Sequence, residues 1–301
     1  NLVPRDIATR EIFHVCVDLK LGINGENMVY LDLSHKDPKE LDVKLGGIIE
    51  IYEKFMGDDP RKIPMKIFPA VHYSMGGMWV DYNQMTNIPG LFAAGECEYQ
   101  YHGANRLGAN SLVSAIYGGM VAGPKAVEYL RGLKKSTEDL NPSVFESYRK
   151  AQEEKYEGIL AMDGTENAYV IHKELGEWMT ANMTVVRHND RLEATINKIK
   201  ELKERYKKIN INDTSRWNNT GAAFTRQLWN MLELAEAMTK GALLRNESRG
   251  AHYKPEFPNR NDEEFLKTTM AKWTPDGPEI SYEPVDVSLI PPRIRDYSKD
   301  K

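Results

Sequence analysis

Residues 88–112 read IPGLFAAGECEYQYHGANRLGANSL, and residues 69–81, just ahead of them, read PAVHYSMGGMWVD. The first stretch opens on a turn and runs into LFAAGE, an apolar segment of strand length that gives out at Gly95 and Glu96. A glycine-rich loop, His102 to Leu112, follows. NSLVSAIYGGMVAGPKAVEYL then reads as a helix that Asn110 or Ser111 can cap. Strand, glycine loop and helix in that order place a ligand at the carboxyl end of a sheet. The second stretch repeats the theme, joining His72 to Gly76 and Gly77. A strand–turn–helix with a surface glutamate explains LFAAGE equally well, so the loops must supply the rest.

Working outward, Ala8, Ile12, Val15, Cys16 and Leu19 recur at helical spacing, with Pro4 suited to the first turn and Gly22 placed to end the helix. MVYLDLSH alternates as a strand. ELDVKLGGIIEIYEKFMG predicts a helix with Leu41, Leu45, Ile48, Ile49, Tyr52 and Phe55 inward and Gly57 as its stop. DDPRKIP reads as a linker. MKIFPAVHY, MWVDYNQ and LFAAGE read as short strands. Ala115, Gly119 and Gly123 suit a close approach of the next helix to a sheet. Segments 143–160, 166–183, 190–208 and 222–245 each carry an apolar stripe of 3.6 period, and the charges of KIKELKERYKK form a solvated face. The tail, EISYEPVDVSLIPPRIRDYSKDK, offers one or two edge strands broken by prolines. The fold class is α+β.

The 301 residues are 41% apolar and 28% charged, with a net charge of −4, enough to build a large core and short of the basic stripe that a nucleic-acid binder carries. No apolar run approaches the length of a membrane span, about 18 residues or more. Cys16 and Cys97 make no CxxC pair and no disulfide framework, which suits a reducing cytoplasmic setting. No cluster has metal-ligand spacing. The chain begins NLVPRDIATREIF, in patterned sequence without an initiator methionine, as expected of part of a longer protein.

His72, His102 and Arg106 lie in loops at strand ends, where sites concentrate. A guanidinium recognises a carboxylate through two parallel hydrogen bonds, and a histidine can help neutralise a second one. Each alone has a plainer reading as a structural hydrogen-bonder or a surface ion pair. Glu96 can accept from sugar or ribityl hydroxyls. The first turn at Ser111 and Leu112 offers free N–H groups and a positive dipole end, which suits the pyrimidine carbonyls of a flavin. His14, His35, His172 and His188 lack such surroundings.

The two opening motifs, in this order, resemble the flavoprotein subunits of succinate dehydrogenase and fumarate reductase, with the flavour of the menaquinone-linked enzymes of Gram-positive bacilli. VPRDIATREIF, DPRKIPMKIFPAVHYSMGG and NESRGAHYKPEFPNRNDEEFLK extend the likeness over essentially the whole chain. It implies the C-terminal half of such a subunit. Residues 1–62 would be the C-terminal part of a capping domain, 63–130 strands and a helix of the FAD-binding domain, 131–245 a helical domain and 246–301 a C-terminal domain.

The family's GxGxxG unit and the histidine covalently bonded to FAD have no counterpart here and would precede Asn1. Carried over by position, Arg5 is the proton-handling residue and His72 and Arg106 are substrate carboxylate ligands. Glu96, Ser111 and Leu112 are FAD contacts, and His102 sits beside the site. The implied reaction oxidises succinate to fumarate by hydride transfer to FAD. Electrons would go to an iron–sulfur subunit and on to quinone through a membrane cytochrome b anchor, at the cytoplasmic face of the cell membrane. The chain alone is expected to be inactive. L-Aspartate oxidase, a related FAD enzyme, and a non-enzymatic partner-binding domain are the alternatives.

Overall fold

The structure is a computed structural model describing residues 5–293, with Arg5 described in its backbone alone. Pro4 and the last residues of the tail lie outside the described residues. The fold is mixed helix and strand, as expected, and forms two compact units: the described chain up to Val71 with Arg293, and His72–Pro292.

In the first unit, α1 (Arg5–Phe13) continues into a π-helical turn, His14–Asp18. The helix does not reach Gly22. It is closed at Lys20, whose φ of 54° is left-handed and turns the chain away. A short β1 (Val29–Leu31) pairs antiparallel with β2 (Met65–Ile67), Tyr30 opposite Lys66. Between them runs α2 (Pro38–Met56). Asp37 caps it by accepting from the Lys39 N–H, and Gly57, left-handed, stops it.

The inward face of α2 is narrower than its apolar spacing suggests. Leu41 and Ile49 are buried and Leu45 half-buried, following one i,i+4 row, with Tyr52 half-buried three residues on. Ile48 (58% exposed) and Phe55 (84%) fall on the neighbouring row and face outward. The DPRK segment is tied down: Arg61 reaches Asp59, Asp42 and Glu53 at 2.7–2.9 Å.

In the second unit, residues 78–98 do not form the expected strands. They meet in single bridges: Met78 to Glu98, Val80 to Thr86 and Met85 to Phe92. A strand needs a continuous ladder on at least one side, and here each segment turns away after one pair. The helix after the glycine loop is α3 (Asn110–Gly132). Its close packing is through Gly118, where a Cβ would lie 3.2 Å from that of Ala94. Gly119 and Gly123 meet nothing.

Four helices follow: α4 (Pro142–Leu160), α5 (Ala168–Met179), α6 (Asn189–Tyr206) and α7 (Thr220–Leu244). Ile171, Leu175, Ile199, Leu202, Leu228 and Leu232 make one core among α5, α6 and α7, and Ile159, Leu160 and Ala222 join α4 to α7. The charged face of α6 is solvated only in part. Arg205 grips Glu166 and Glu174 with four hydrogen bonds of 2.8–3.0 Å. Last come α8 (Asp262–Phe265) and a hairpin of β3 (Lys267–Lys272) and β4 (Glu279–Pro284), in which β3 is a strand the sequence pattern does not announce. No helix among the described residues is long and apolar enough to cross a membrane.

Candidate functional site

Gly77 decides how the two opening motifs meet. Met78 N–H donates to Cys97 O at 2.8 Å, and a Cβ on Gly77 would press into that same carbonyl. Only a residue without a side chain lets the 75–78 segment lie so close to 95–98. The approach puts Ser74 beside Glu96, whose Oε1 accepts the Ser74 N–H at 2.8 Å. Gly95 (φ 85°) turns the chain there and rests on Ala115 of α3.

Arg106 is held by its backbone and by one ring. Its N–H donates to Met75 Sδ at 2.9 Å. Its guanidinium carbon lies 5.0 Å from the centroid of the Tyr73 ring, a cation–π contact. Nη1 donates to Leu107 O at 3.0 Å. Its Nε is buried with no hydrogen-bond partner. A charged donor left in that state is costly unless an anion completes it.

His102 stands edge-on to Tyr73 at 5.1 Å, and its Nε2 lies 3.0 Å from Ser114 Oγ. Ser114 Oγ also lies 2.9 Å from Ser111 O, an oxygen that can only accept. The single hydroxyl proton goes there, so His102 donates from Nε2 and presents Nδ1 as an acceptor. Burial first, and the charge of Arg106 second, hold the His102 pKa below its ordinary value. Near neutral pH it is an uncharged ring that wedges Tyr73 against α3.

The structure thus brings Arg106, His102 and Glu96 into one constellation with the start of α3. His72 is exposed and next to Tyr73 in the chain. Arg5 opens α1 in the other unit, and its side chain lies outside the described residues. Neither Asn110 nor Ser111 caps α3. The N-cap is Ala109, in the left-handed region, with no side-chain hydrogen bond. The first-turn amides near Ser111 and Leu112 carry no side-chain cap, and the Leu112 side chain is exposed. Tyr73, Met75 and Ser114 are contributors that sequence reading passed over. The spacing of Tyr73 from His72 was visible, but its contact with Arg106 spans 33 residues.

A second cluster lies behind the loop. Glu247, 0% exposed, takes salt bridges from Arg245 at 2.7 Å and Arg249 at 2.9 Å and accepts the Asn261 N–H at 2.9 Å. Burial pushes its pKa up, but these donors outweigh burial and bring it below the usual value. His252 donates from Nε2 to Arg245 O at 2.9 Å and accepts at Nδ1 from Arg187. Burial, then the Arg187 charge, lowers its pKa to about 3. Lys254, also fully buried, donates to Leu243 O at 2.8 Å and Asn246 Oδ1 at 3.1 Å, and burial lowers its pKa to about 8.

A family model described as an FAD binding domain matches residues 1–112, and one described as the fumarate reductase flavoprotein C-terminus matches residues 172–297. The chain is 75% identical, over its whole length and 52% of the relative's, to the succinate dehydrogenase flavoprotein subunit of Bacillus subtilis. It is 38% identical to the fumarate reductase flavoprotein subunit of Escherichia coli, over 99% of this chain and 50% of that one. A solved structure of Escherichia coli quinol fumarate reductase superposes with a TM-score of 0.88 at 35% identity, over 97% of this chain and 50% of that one. The chain spans about half the length of the curated relatives it matches.

Proposed function

The chain belongs to the family of succinate dehydrogenase and fumarate reductase flavoprotein subunits, and on that premise we propose that it carries the dicarboxylate-binding side of an FAD-dependent enzyme that oxidises succinate to fumarate. One observation carries the reading. The Arg106 backbone N–H is held by Met75 and its guanidinium rests on the Tyr73 ring, while its Nε is buried and unmatched. A carboxylate oxygen supplies the missing acceptor.

Arg106 binds and orients one substrate carboxylate, and His72 takes part in holding the dicarboxylate. Arg5, at the head of α1, takes the proton lost from the carbon next to the one oxidised. That role asks for burial or neighbouring cations, because an ordinary arginine pKa lies above about 12. FAD, when bound, supplies the acceptor for the hydride. The residues present fit such a group: the start of α3 carries no side-chain cap, so its first-turn amides suit the pyrimidine edge. Leu112 offers an exposed apolar surface beside them, and Glu96 offers a carboxylate to hydroxyls.

The four-part division at residues 62, 130 and 245 follows the family's layout and is proposed with it. So are an iron–sulfur subunit and a membrane cytochrome b anchor as partners, and a peripheral position on the cytoplasmic face of the membrane. The named relatives are themselves subunits, which supports a multi-subunit setting.

Dye reduction by the whole protein with succinate tests the reading. Arg106→Ala should abolish turnover while the flavin spectrum is retained. Turnover within a few-fold of wild type would contradict it.

A further inference from the structure

The loop that carries Arg106 is met by a turn near the other end of the chain. Arg249 and His252 close a two-residue hairpin, Arg249 N–H to His252 O at 2.8 Å and His252 N–H to Arg249 O at 3.0 Å. Gly250 and Ala251 form its tip. The Ala251 N–H donates to Ala104 O at 2.9 Å, two residues before Arg106. Gly250 has φ 60°, and a Cβ there would press into Ala104 O and lie 2.9 Å from Asn105 Cβ. The tip therefore meets the loop backbone to backbone, at a distance only glycine permits.

The base of the hairpin is rigid. Arg249 forks onto Glu247 at 2.9 and 3.0 Å and reaches Asp262 at 2.6 Å. His252 is pinned between Arg245 O and Arg187. A stack of buried charges this costly is worth more as a positioning frame than as a source of stability. On the loop's other side, Met75 takes the Arg106 N–H and Ser114 takes His102.

We propose that the 249–252 turn is a positioning clamp for Arg106: Gly250 and Ala251 fix the 104–106 backbone from behind and so set where the guanidinium meets a substrate carboxylate. This rests on the reading that Arg106 binds a dicarboxylate. The clamp residues touch no substrate. They act through the carbonyl of Ala104.

The test is calorimetric titration of malonate into the whole protein, with melting temperatures measured alongside. Gly250→Ala should weaken malonate binding roughly tenfold, and it should lose most of that effect in an Arg106→Lys background that still binds, because coupled residues are not additive. Where Gly250→Ala does not fold, Asp262→Asn removes the charge of one of the two carboxylates that hold Arg249, without adding volume, and should weaken binding in the same coupled way by a smaller factor. An effect of full size in both backgrounds, or wild-type affinity in the folded clamp variant, overturns the clamp. The reading beneath it is tested separately: Arg106→Ala with wild-type malonate affinity would overturn that reading, whereas loss of binding there beside an unaffected Gly250→Ala would overturn the clamp alone.

Discussion

Tyr73 lies beneath the guanidinium of Arg106, ring centroid to Cζ 5.0 Å, while His102 packs at right angles to the same ring. The ring is thus a hinge plate between an arginine with an unmatched donor and the first turns of α3. Tyr73→Phe keeps the face and should bind malonate like wild type. Tyr73→Leu removes the cation–π contact, which is worth about 0.5–2 kcal/mol, and should weaken binding roughly 2- to 30-fold. Titration of the three proteins side by side checks this, and equal affinities would show that the ring does not hold the arginine.

The neutral His252 makes stability depend on pH. Its folded pKa of about 3 lies below the 6.5 of an exposed imidazole, so the unfolded chain binds the extra proton. Stability contributed by the neutral ring is fully present above about pH 6.5 and is lost as pH falls towards 3, by at most about 5 kcal/mol at 1.4 per unit. His252→Gln keeps a donor and an acceptor without titrating. Its melting temperature should fall less steeply between pH 6.5 and 4 than that of wild type. Parallel pH curves would remove His252 as the cause.

Arg205 is the most heavily bonded cation on α6, and its hydrogen bonds, followed by that of Lys198, pull the Glu174 pKa down to about 2. Arg205→Ala leaves two partly buried carboxylates facing each other. The expected cost is about 1–3 kcal/mol, a drop of roughly 3–10 °C in Tm. Scanning calorimetry reads it, and an unchanged Tm would place the cluster among surface pairs of no consequence.

Leu232, with no exposed surface, stands at the centre of the α5–α6–α7 core. Leu232→Ala should cost about 2–5 kcal/mol in denaturant melts. A cost below about 1 kcal/mol would mean that the core closes around the cavity.

The sequence makes the helices legible because their evidence is local. Leu192, Ile199, Leu202 and Tyr206 are buried as their spacing predicts, and Gly57 stops α2 where expected. Legibility fails where a contact is set by distant chain. LFAAGE has strand composition, but only a partner could make it a strand. Ile48 and Phe55 share the period of α2 and not its covered face. Within the site, His102 and Arg106 stand out as polar residues among glycines. Tyr73 beneath the arginine, and Gly250 against Ala104, depend on how loops 33 and 146 residues apart in the sequence fold together, and composition holds no record of that.

Arg106 is proposed to hold a substrate carboxylate. The most direct test is isothermal titration of malonate, with acetate for comparison, into the whole protein and its Arg106→Gln variant, each shown to be folded by calorimetry. Measurable malonate binding that exceeds acetate binding is expected in the wild type, and loss of at least about 2 kcal/mol in the variant, roughly 30-fold, as a charged hydrogen-bonded pair is removed. Malonate affinity unchanged by the substitution would contradict it.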